Sequence, residues 1–126
     1  MINKEKAKIK LIIAGSRDFH DYSLLKKEVT IFTKEYNNKD IIIVSGKATG
    51  ADELGEIYAF RHSIDLKTFP ANWKKYGKSA GFIRNNSMAI FATHCICFWD
   101  GKSNGTKDMI ERCKKHNLKY KVIRYE

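Results

Sequence analysis

Three glycine-containing turns carry the residues of this sequence that are best suited to binding an anion. They are residues 15–19 (GSRDF), 45–52 (SGKATGAD) and 100–106 (DGKSNGT), and each follows an apolar run. Glycine lets the backbone approach a phosphate closely and adopt positive φ. The first amides of a helix are unpaired and lie at the positive end of its dipole. A glycine turn that leads into a helix is therefore typical of a phosphate site.

The second and third turns match this pattern best, because each has glycine at or before a predicted helix start. Hydroxyl groups near these glycines belong to Thr49, Ser103 and Thr106. The cationic side chains of the three turns are Arg17, Lys47 and Lys102. The P-loop pattern G-x-x-x-x-G-K-[ST] does not occur, and neither does the dinucleotide pattern G-x-G-x-x-G. These absences argue against ATP hydrolysis and against conventional hydride transfer to NAD.

A fourth segment, residues 70–85 (PANWKKYGKSAGFIRN), combines aromatic and basic residues. Trp73 and Tyr76 beside lysines suit base stacking and phosphate contact, or else they cover an edge of the sheet. The formal net charge is 24 − 14 = +10. A basic excess of this size favours an anionic partner, although scattered lysines also occur on ordinary solvated surfaces.

The hydrophobic pattern alternates between buried strands and amphipathic helices. It predicts strands over 9–14, 41–44, 66–69, 95–99 and 120–125, and helices over 22–36, 51–62, 79–91 and 106–115. Asp21 is the predicted N-cap of the first helix, and Asn37-Asn38 marks its end. This order indicates an α/β fold with a mostly parallel five-stranded sheet and helices on both faces. Ligands of such sheets bind outside the carboxyl ends of the strands, where the three turns lie.

With 126 residues, the chain has the length of one domain. No apolar run reaches the ~18–20 residues of a membrane span, and residues 1–10 lack the apolar core of a signal peptide. We therefore expect a cytoplasmic protein without membrane association, and a flexible basic segment over residues 1–8.

The three cysteines, Cys95, Cys97 and Cys113, are an odd number, which argues against a disulfide framework. Cys95 and Cys97 would share one face of a strand and are predicted to lie in the core. Neither the cysteines nor the histidines show a metal-ligand spacing, so no metal site is expected.

The four blocks GSRDF, SGKATGAD, PANWKKYGKSAGFIRNNSM and FWDGKSNGT, in this order, resemble the YspA-type proteins of the SLOG superfamily. The resemblance extends from about residue 9 to residue 122. It implies a Rossmann-like three-layer α/β/α domain, a nucleotide or nucleotide-derived ligand, no other cofactor, and a homo-oligomer. The superfamily includes the Lonely Guy phosphoribohydrolases, DNA-processing proteins that bind single-stranded DNA, and sensor domains for NAD-derived or other nucleotide signals.

Two departures from these patterns concern the site. The family typically has S-G-G-A-R-G-A-D, where this sequence has Lys47 and Thr49 in place of the second glycine and the arginine. Met109 stands where the Lonely Guy enzymes have their catalytic glutamate, and Asp108 is a near match only.

Three functions follow as hypotheses. The first is a sensor or sequestering module that binds a nucleotide, such as an ADP-ribose or NAD-derived compound. Its predicted ligand-binding residues are Gly15, Ser16, Arg17, Ser45, Gly46, Lys47, Thr49, Gly50, Asp52, Trp73, Tyr76, Arg84, Asn85, Asp100, Gly101, Ser103, Gly105 and Thr106. The second is hydrolysis of an N-glycosidic bond, with candidate carboxylates Asp18, Asp52, Asp100 and Asp108. The third is binding of single-stranded nucleic acid.

Overall fold

The centre of the structure is a sheet of five parallel strands in the order β3-β2-β1-β4-β5. The computed structural model describes residues 9–125, so the predicted flexible segment over residues 1–8 lies outside the described residues. The strands are β1 (Ile9–Gly15), β2 (Ile41–Ser45), β3 (Asp65–Thr68), β4 (His94–Trp99) and β5 (Lys119–Arg124). The predicted α/β class, with a parallel sheet between helices, is confirmed.

Four helices connect these strands in the predicted order, and a further helix of one turn, which follows the third strand, was not predicted. They are α1 (Tyr22–Phe32), α2 (Ala51–Arg61), α3 (Trp73–Tyr76), α4 (Ala80–Phe91) and α5 (Asn104–Lys115). The Asp21 carboxylate accepts from the Leu24 amide at 3.0 Å, which confirms the predicted N-cap of α1. Each helix among residues 9–125 is too short or too polar to cross a bilayer.

Two apolar cores lie on opposite faces of the sheet. Leu25 and Val29 of α1 and Tyr58 of α2 belong to one core. Met88 of α4 and Met109 of α5 belong to the other. This arrangement confirms the three-layer prediction, and it explains why the central strands are apolar on both sides.

All three cysteines lie in the core beneath α4 and α5, which confirms the prediction for Cys95 and Cys97. The Cys95 and Cys97 sulfurs are 3.6 Å apart. Hydrogen bonds with the Cys113 and Cys97 thiols, together with burial, raise the pKa of the Cys95 thiol well above its usual range. A thiol held neutral is a poor nucleophile, so the group serves as packing.

The strand order creates a crevice at one edge of the sheet. β1 and β4 are neighbours, but β1 leads to α1 on one face and β4 leads to α5 on the other. The two connections diverge at the carboxyl ends of these strands, which is where open α/β sheets bind their ligands.

Candidate functional site

A cavity of about 440 Å³ occupies this crevice. We call it the main cavity. Its walls come from all three glycine turns, from α3 and from the inner faces of α4 and α5. It is lined by Ala14, Gly15, Ser16, Arg17, Asp18, Ala48, Asp52, Trp73, Lys78, Gly81, Phe82, Arg84, Asn85, Met88, Asp100, Ser103, Gly105, Thr106 and Met109. The volume is within the usual range for a small-molecule site.

The third turn is fixed by its own hydrogen bonds before any ligand binds. The Asp100 carboxylate accepts from the Lys102 and Ser103 amides at 2.8 Å each. These bonds lower the pKa of Asp100, so it is ionised at neutral pH. The Ser103 hydroxyl accepts from the Thr106 amide at 3.3 Å and caps α5.

The start of α5 can accept an anion. The first amides of a helix have no partner within the helix, and those of α5 begin at Asn104 and Gly105, next to the cavity wall. A Cβ at Gly105 would have no neighbour within 4 Å, so a ligand can approach the backbone here. Ser103 and Thr106 border the same wall.

Protein groups already accept from two amides of the second turn and from the first amide of α2. The Asp52 carboxylate accepts from the Ala48 amide at 3.3 Å, and Glu53 accepts from the Gly50 amide at 3.3 Å. The Ala51 amide donates to the Ser16 carbonyl at 3.4 Å. Two carboxylates therefore accept from amides of the second turn, and Asp52 also lines the main cavity.

Asp52 is a buried carboxyl at the wall of the main cavity. Burial raises its pKa from 3.8 to about 6, although the Ala48 amide and the Arg84 charge oppose this shift. The Arg84 guanidinium donates to the Gly46 carbonyl and, at 3.0 Å, to the Asn85 side-chain oxygen. A Cβ at Gly46 would lie 2.6 Å from Arg84 Nη1 and 2.9 Å from Asp52 Oδ2, so only glycine allows both groups to pack here.

Basic side chains bring positive charge to the cavity wall. The Arg17 guanidinium lies 6.0 Å from the centroid of the Trp73 ring. The edge of that ring packs over Gly81, where a Cβ would be 3.3 Å from it. Lys78 and Arg84 complete this wall. A half-exposed aromatic ring beside two arginines can stack on a base while the guanidinium groups contact phosphate.

Asp18 and Asp100 meet near the last strand. The Tyr125 hydroxyl donates to Asp18 Oδ1 at 2.8 Å. The pKa of Tyr125 is raised mainly by burial, and the charges of Asp18 and Asp100 both add to that shift. Tyr125 was not among the predicted site residues, because a tyrosine following an edge strand carries no signal of its place.

The structure brings most of the predicted residues to one place. Eleven predicted ligand-binding residues line the main cavity, namely Gly15, Ser16, Arg17, Asp52, Trp73, Arg84, Asn85, Asp100, Ser103, Gly105 and Thr106. Gly46, Lys47 and Thr49 line an adjoining hollow of about 520 Å³, the middle hollow.

Five predicted residues lie elsewhere. The Ser45 hydroxyl is buried and donates to Glu56 at 2.7 Å. Gly50 packs against the Ser16 and Arg17 backbone, and Gly101 packs against Arg124. Tyr76 borders a further hollow beside β3. Asp108, a candidate catalytic carboxylate, accepts instead from Asn85 at 3.1 Å and pairs with Arg112 at 3.4 Å, away from the cavity wall.

The sequence did not single out several lining residues. Lys78, Gly81 and Phe82 lie within the basic and aromatic segment 70–85, which gave a signal for the region only. Met88 and Met109 were indistinguishable from core residues. Met109 reaches the cavity from the position at which the Lonely Guy pattern has glutamate.

The backbone of the second turn contains a left-handed residue that is not glycine. Lys47 has φ of 60°, a left-handed conformation that glycine adopts at little cost. It stands where the typical pattern has the second glycine, and its ammonium group pairs with Glu56 at 3.1 Å.

A parallel sheet with this strand order and a cavity at its switch point defines a Rossmann-like α/β domain. The model of the YspA, cpYpsA-related SLOG family matches residues 9–76, and the chain belongs to this family. The resemblance that the sequence motifs indicated is thereby confirmed.

Individual relatives extend the comparison over the whole chain. The Gene 61 protein of Mycobacterium phage D29 is 26% identical over 117 residues, which are 86% of this chain and 91% of that protein. DNA processing protein A from Streptococcus pneumoniae has a similar structure, with a TM-score of 0.73 and 18% identity over 98% of this chain. The chain spans about half of that protein, 52% of its length. DNA processing protein A from Helicobacter pylori gives a TM-score of 0.69 at 17% identity, with 98% of this chain and 68% of that chain covered.

Proposed function

We propose that this protein binds a nucleotide in the main cavity, as a sensor or sequestering module. The proposal rests on one observation. A helix start that can accept an anion lines the same cavity as cationic and aromatic side chains. The start of α5, with Gly105 and Thr106, lines the same cavity as Arg17, Trp73 and Arg84. A phosphate would lie against α5, and a base would contact Trp73 and Phe82.

The carboxylates of the cavity suit the sugar of such a ligand. Asp100 is ionised and already accepts two amide hydrogen bonds, so its remaining lone pairs can accept a ribose hydroxyl. Asp18 lies beside it near Tyr125.

The test is calorimetry and thermal unfolding with AMP, ADP-ribose, NAD and cyclic dinucleotides. A ligand at about 100 times its Kd should add about 2.7 kcal/mol to the free energy of unfolding. Arg17→Gln should weaken binding about tenfold, because a charge-assisted contact to phosphate is lost. The control is Arg61→Gln, which removes an equal charge from the end of α2, where Arg61 lies 4.7 Å from the Tyr22 ring. Equal affinities of the two variants would refute the proposed site.

A second candidate is hydrolysis of the bound nucleotide at its N-glycosidic bond. It is favoured by one observation: Asp52 and Asp100 line the same cavity with pKa values shifted in opposite directions. Such a pair can divide the roles of proton donor and charge stabiliser. Mass spectrometry of the recovered ligand distinguishes the two functions. Intact nucleotide supports binding alone, whereas free base and ribose phosphate that disappear in Asp100→Asn support hydrolysis.

DNA processing protein A from Helicobacter pylori binds single-stranded DNA. We include a nucleotide unit of a nucleic acid among the ligands proposed for this cavity. The mononucleotide panel and an oligonucleotide panel separate the free ligand from the polymer.

A further inference from the structure

The main cavity continues into two further hollows that pass around α3. It shares Arg17, Ala48, Trp73 and Arg84 with the middle hollow. The middle hollow in turn shares Pro70 and Arg84 with a third hollow of about 350 Å³, the outer hollow, which lies between the end of β3 and α4. Arg84 therefore borders all three, and together they form one continuous groove.

Charge distinguishes the groove from the cavity at its end. The main cavity contains three carboxylates along with its cations. The middle hollow is bordered by Arg17, Lys47 and Arg84, and the outer hollow by Lys67 and Arg84, and neither lining includes Asp or Glu. A ligand that extends out of the main cavity would meet Arg17, Arg84 and Lys67, together with Lys47, whose ammonium group is paired with Glu56 at 3.1 Å.

Negative charge beside the middle hollow also determines the direction in which an anionic chain can extend. A different hollow opens from the middle one toward α2 and shares Lys47, Ala48 and Thr49 with it. That hollow is lined by Glu53 and Glu56, which would repel an anionic chain. An anion that leaves the main cavity is therefore favoured along β3 and disfavoured along α2.

Each part of the groove has an aromatic ring that a base can contact. Trp73 is 50% exposed and borders both the main cavity and the middle hollow. Tyr76 is 41% exposed and borders the outer hollow, together with Phe69. The Lys75 ammonium group lies 5.1 Å from the centroid of the Tyr76 ring. This placement explains why Tyr76 lies outside the main cavity although the sequence grouped it with Trp73.

We infer that the groove binds a single strand of nucleic acid, with one nucleotide in the main cavity and the following nucleotides along the middle and outer hollows. The inference rests on the proposed function, because the nucleotide at the end occupies the proposed site. A free mononucleotide would leave two basic, aromatic hollows empty. Duplex nucleic acid would not suit the groove, because its bases are stacked on one another and cannot contact Trp73 and Tyr76.

The first test measures affinity against length, by fluorescence anisotropy of the full chain with labelled oligothymidylates of one to six nucleotides. Affinity should rise with each nucleotide up to about three, one for each hollow, and change little beyond that length. A duplex of equal length should bind more weakly. Equal affinity for one and six nucleotides would overturn the inference.

The second test removes single groups of the outer hollow. Tyr76→Ala should weaken binding of the longer strands about fivefold, since base–aromatic stacking is lost, and should leave the mononucleotide unaffected. The control is Tyr120→Ala on β5, because that tyrosine is similarly exposed at 37% and lies on the opposite side of the sheet. Equal effects of the two variants would refute the assigned path.

The third test uses salt. Contact with two phosphates predicts a slope of about −1.4 for log affinity against log salt concentration, and Lys67→Gln should reduce its magnitude by about 0.7. The Lys67 ammonium group lies 5.7 Å from the centroid of the Phe69 ring. The control is Lys10→Gln, because Lys10 is at the amino end of β1 and its ammonium group lies 4.5 Å from the centroid of the Phe91 ring. An unchanged slope in Lys67→Gln contradicts the inference.

The mononucleotide measurement separates this inference from the proposed function. If a mononucleotide binds but longer strands bind no better, the groove is refuted and the cavity remains supported. If neither binds, the proposed function itself fails. If long strands bind equally well to the wild type and to Arg17→Gln, they do not use the main cavity or the middle hollow. That result would contradict the groove, and it would also contradict binding of a nucleic acid's nucleotide in the main cavity.

Discussion

Burial of the Asp52 carboxyl affects both the stability of the fold and the charge at the wall of the main cavity. Its carboxyl is buried at the cavity wall, where it accepts from the Ala48 amide and faces the charge of Arg84. Burial dominates, so the neutral form is favoured relative to an exposed aspartate. The protein therefore retains a carboxyl that costs stability when it is ionised, which is typical of residues kept for a site.

We predict that Asp52→Asn stabilises the protein at neutral pH. The folded pKa of Asp52 is raised from 3.8 to about 6, so the folded protein holds this proton more tightly than the unfolded chain does. The resulting stabilisation is complete below about pH 4 and is lost as pH rises through about 6, which amounts to about 3 kcal/mol. The variant should match the wild type at low pH and exceed it above pH 6, as measured by urea unfolding. A difference that does not change with pH would contradict this account, and the wild-type curve measured in the same buffers corrects for the other titrating groups.

At the scale of elements, the junction of α2 with the turn after β1 depends on a backbone contact that leaves no room for a side chain. Gly50 precedes α2 with φ of 78°, and a Cβ there would lie 2.4 Å from the Ser16 carbonyl oxygen. The Ala51 amide donates to that same carbonyl at 3.4 Å. These contacts hold the second turn against the first, so that Asp52 and Arg17 both line the main cavity.

We predict that Gly50→Ala destabilises the protein by about 3 kcal/mol or more, because a steric clash adds to the strain of positive φ. Gly77→Ala is the matched control: its φ is 58°, but a Cβ there has no neighbour within 4 Å. The control should cost only the backbone strain, about 1 kcal/mol. Urea unfolding of both variants measures the difference, and equal losses would show that the contact with the first turn contributes nothing.

The ends of the elements show what the sequence pattern can and cannot predict. The strands begin and end within two residues of their predicted positions. A continuous apolar run marks the buried strands β1, β2 and β4, whereas β3 is exposed along its whole length. Helix α1 was predicted to reach Tyr36, yet it ends at Phe32. The Thr33 hydroxyl donates to the Val29 carbonyl at 2.8 Å, and Tyr36 still packs on the core from the following turn. The spacing of apolar residues indicates which residues are buried. Here the burial continues to Tyr36, beyond the end of α1.

For the whole molecule, the position of the site followed from topology, whereas its detailed composition did not. Alternating strands and helices predicted one binding edge, and the main cavity lies there. Asp108 and Gly101 were assigned to the site from their place in the chain. Their actual neighbours are Asn85 and Arg124, respectively. Which way a side chain points depends on helix phase and loop path, and these are set by packing between elements distant in sequence.

The net charge leads to a last prediction for the whole molecule. Lysine and arginine exceed aspartate and glutamate by 24 − 14 = 10, and a domain of this length has a radius of gyration of about 14 Å. At 0.01 M salt the screening length is about 30 Å, so like charges repel across the entire fold, whereas at 0.1 M it is about 10 Å. Because the compact state suffers more from this repulsion than the expanded chain, added salt should raise the urea midpoint of the free protein. A midpoint that falls over this range would mean that ion pairs such as Lys121 with Glu28, at 3.0 Å, outweigh the repulsion. A bound polyanion and added salt both reduce the repulsion between positive charges. If they act on the same charges, the polyanion should raise the urea midpoint most at low salt, and salt should raise it less when the polyanion is bound.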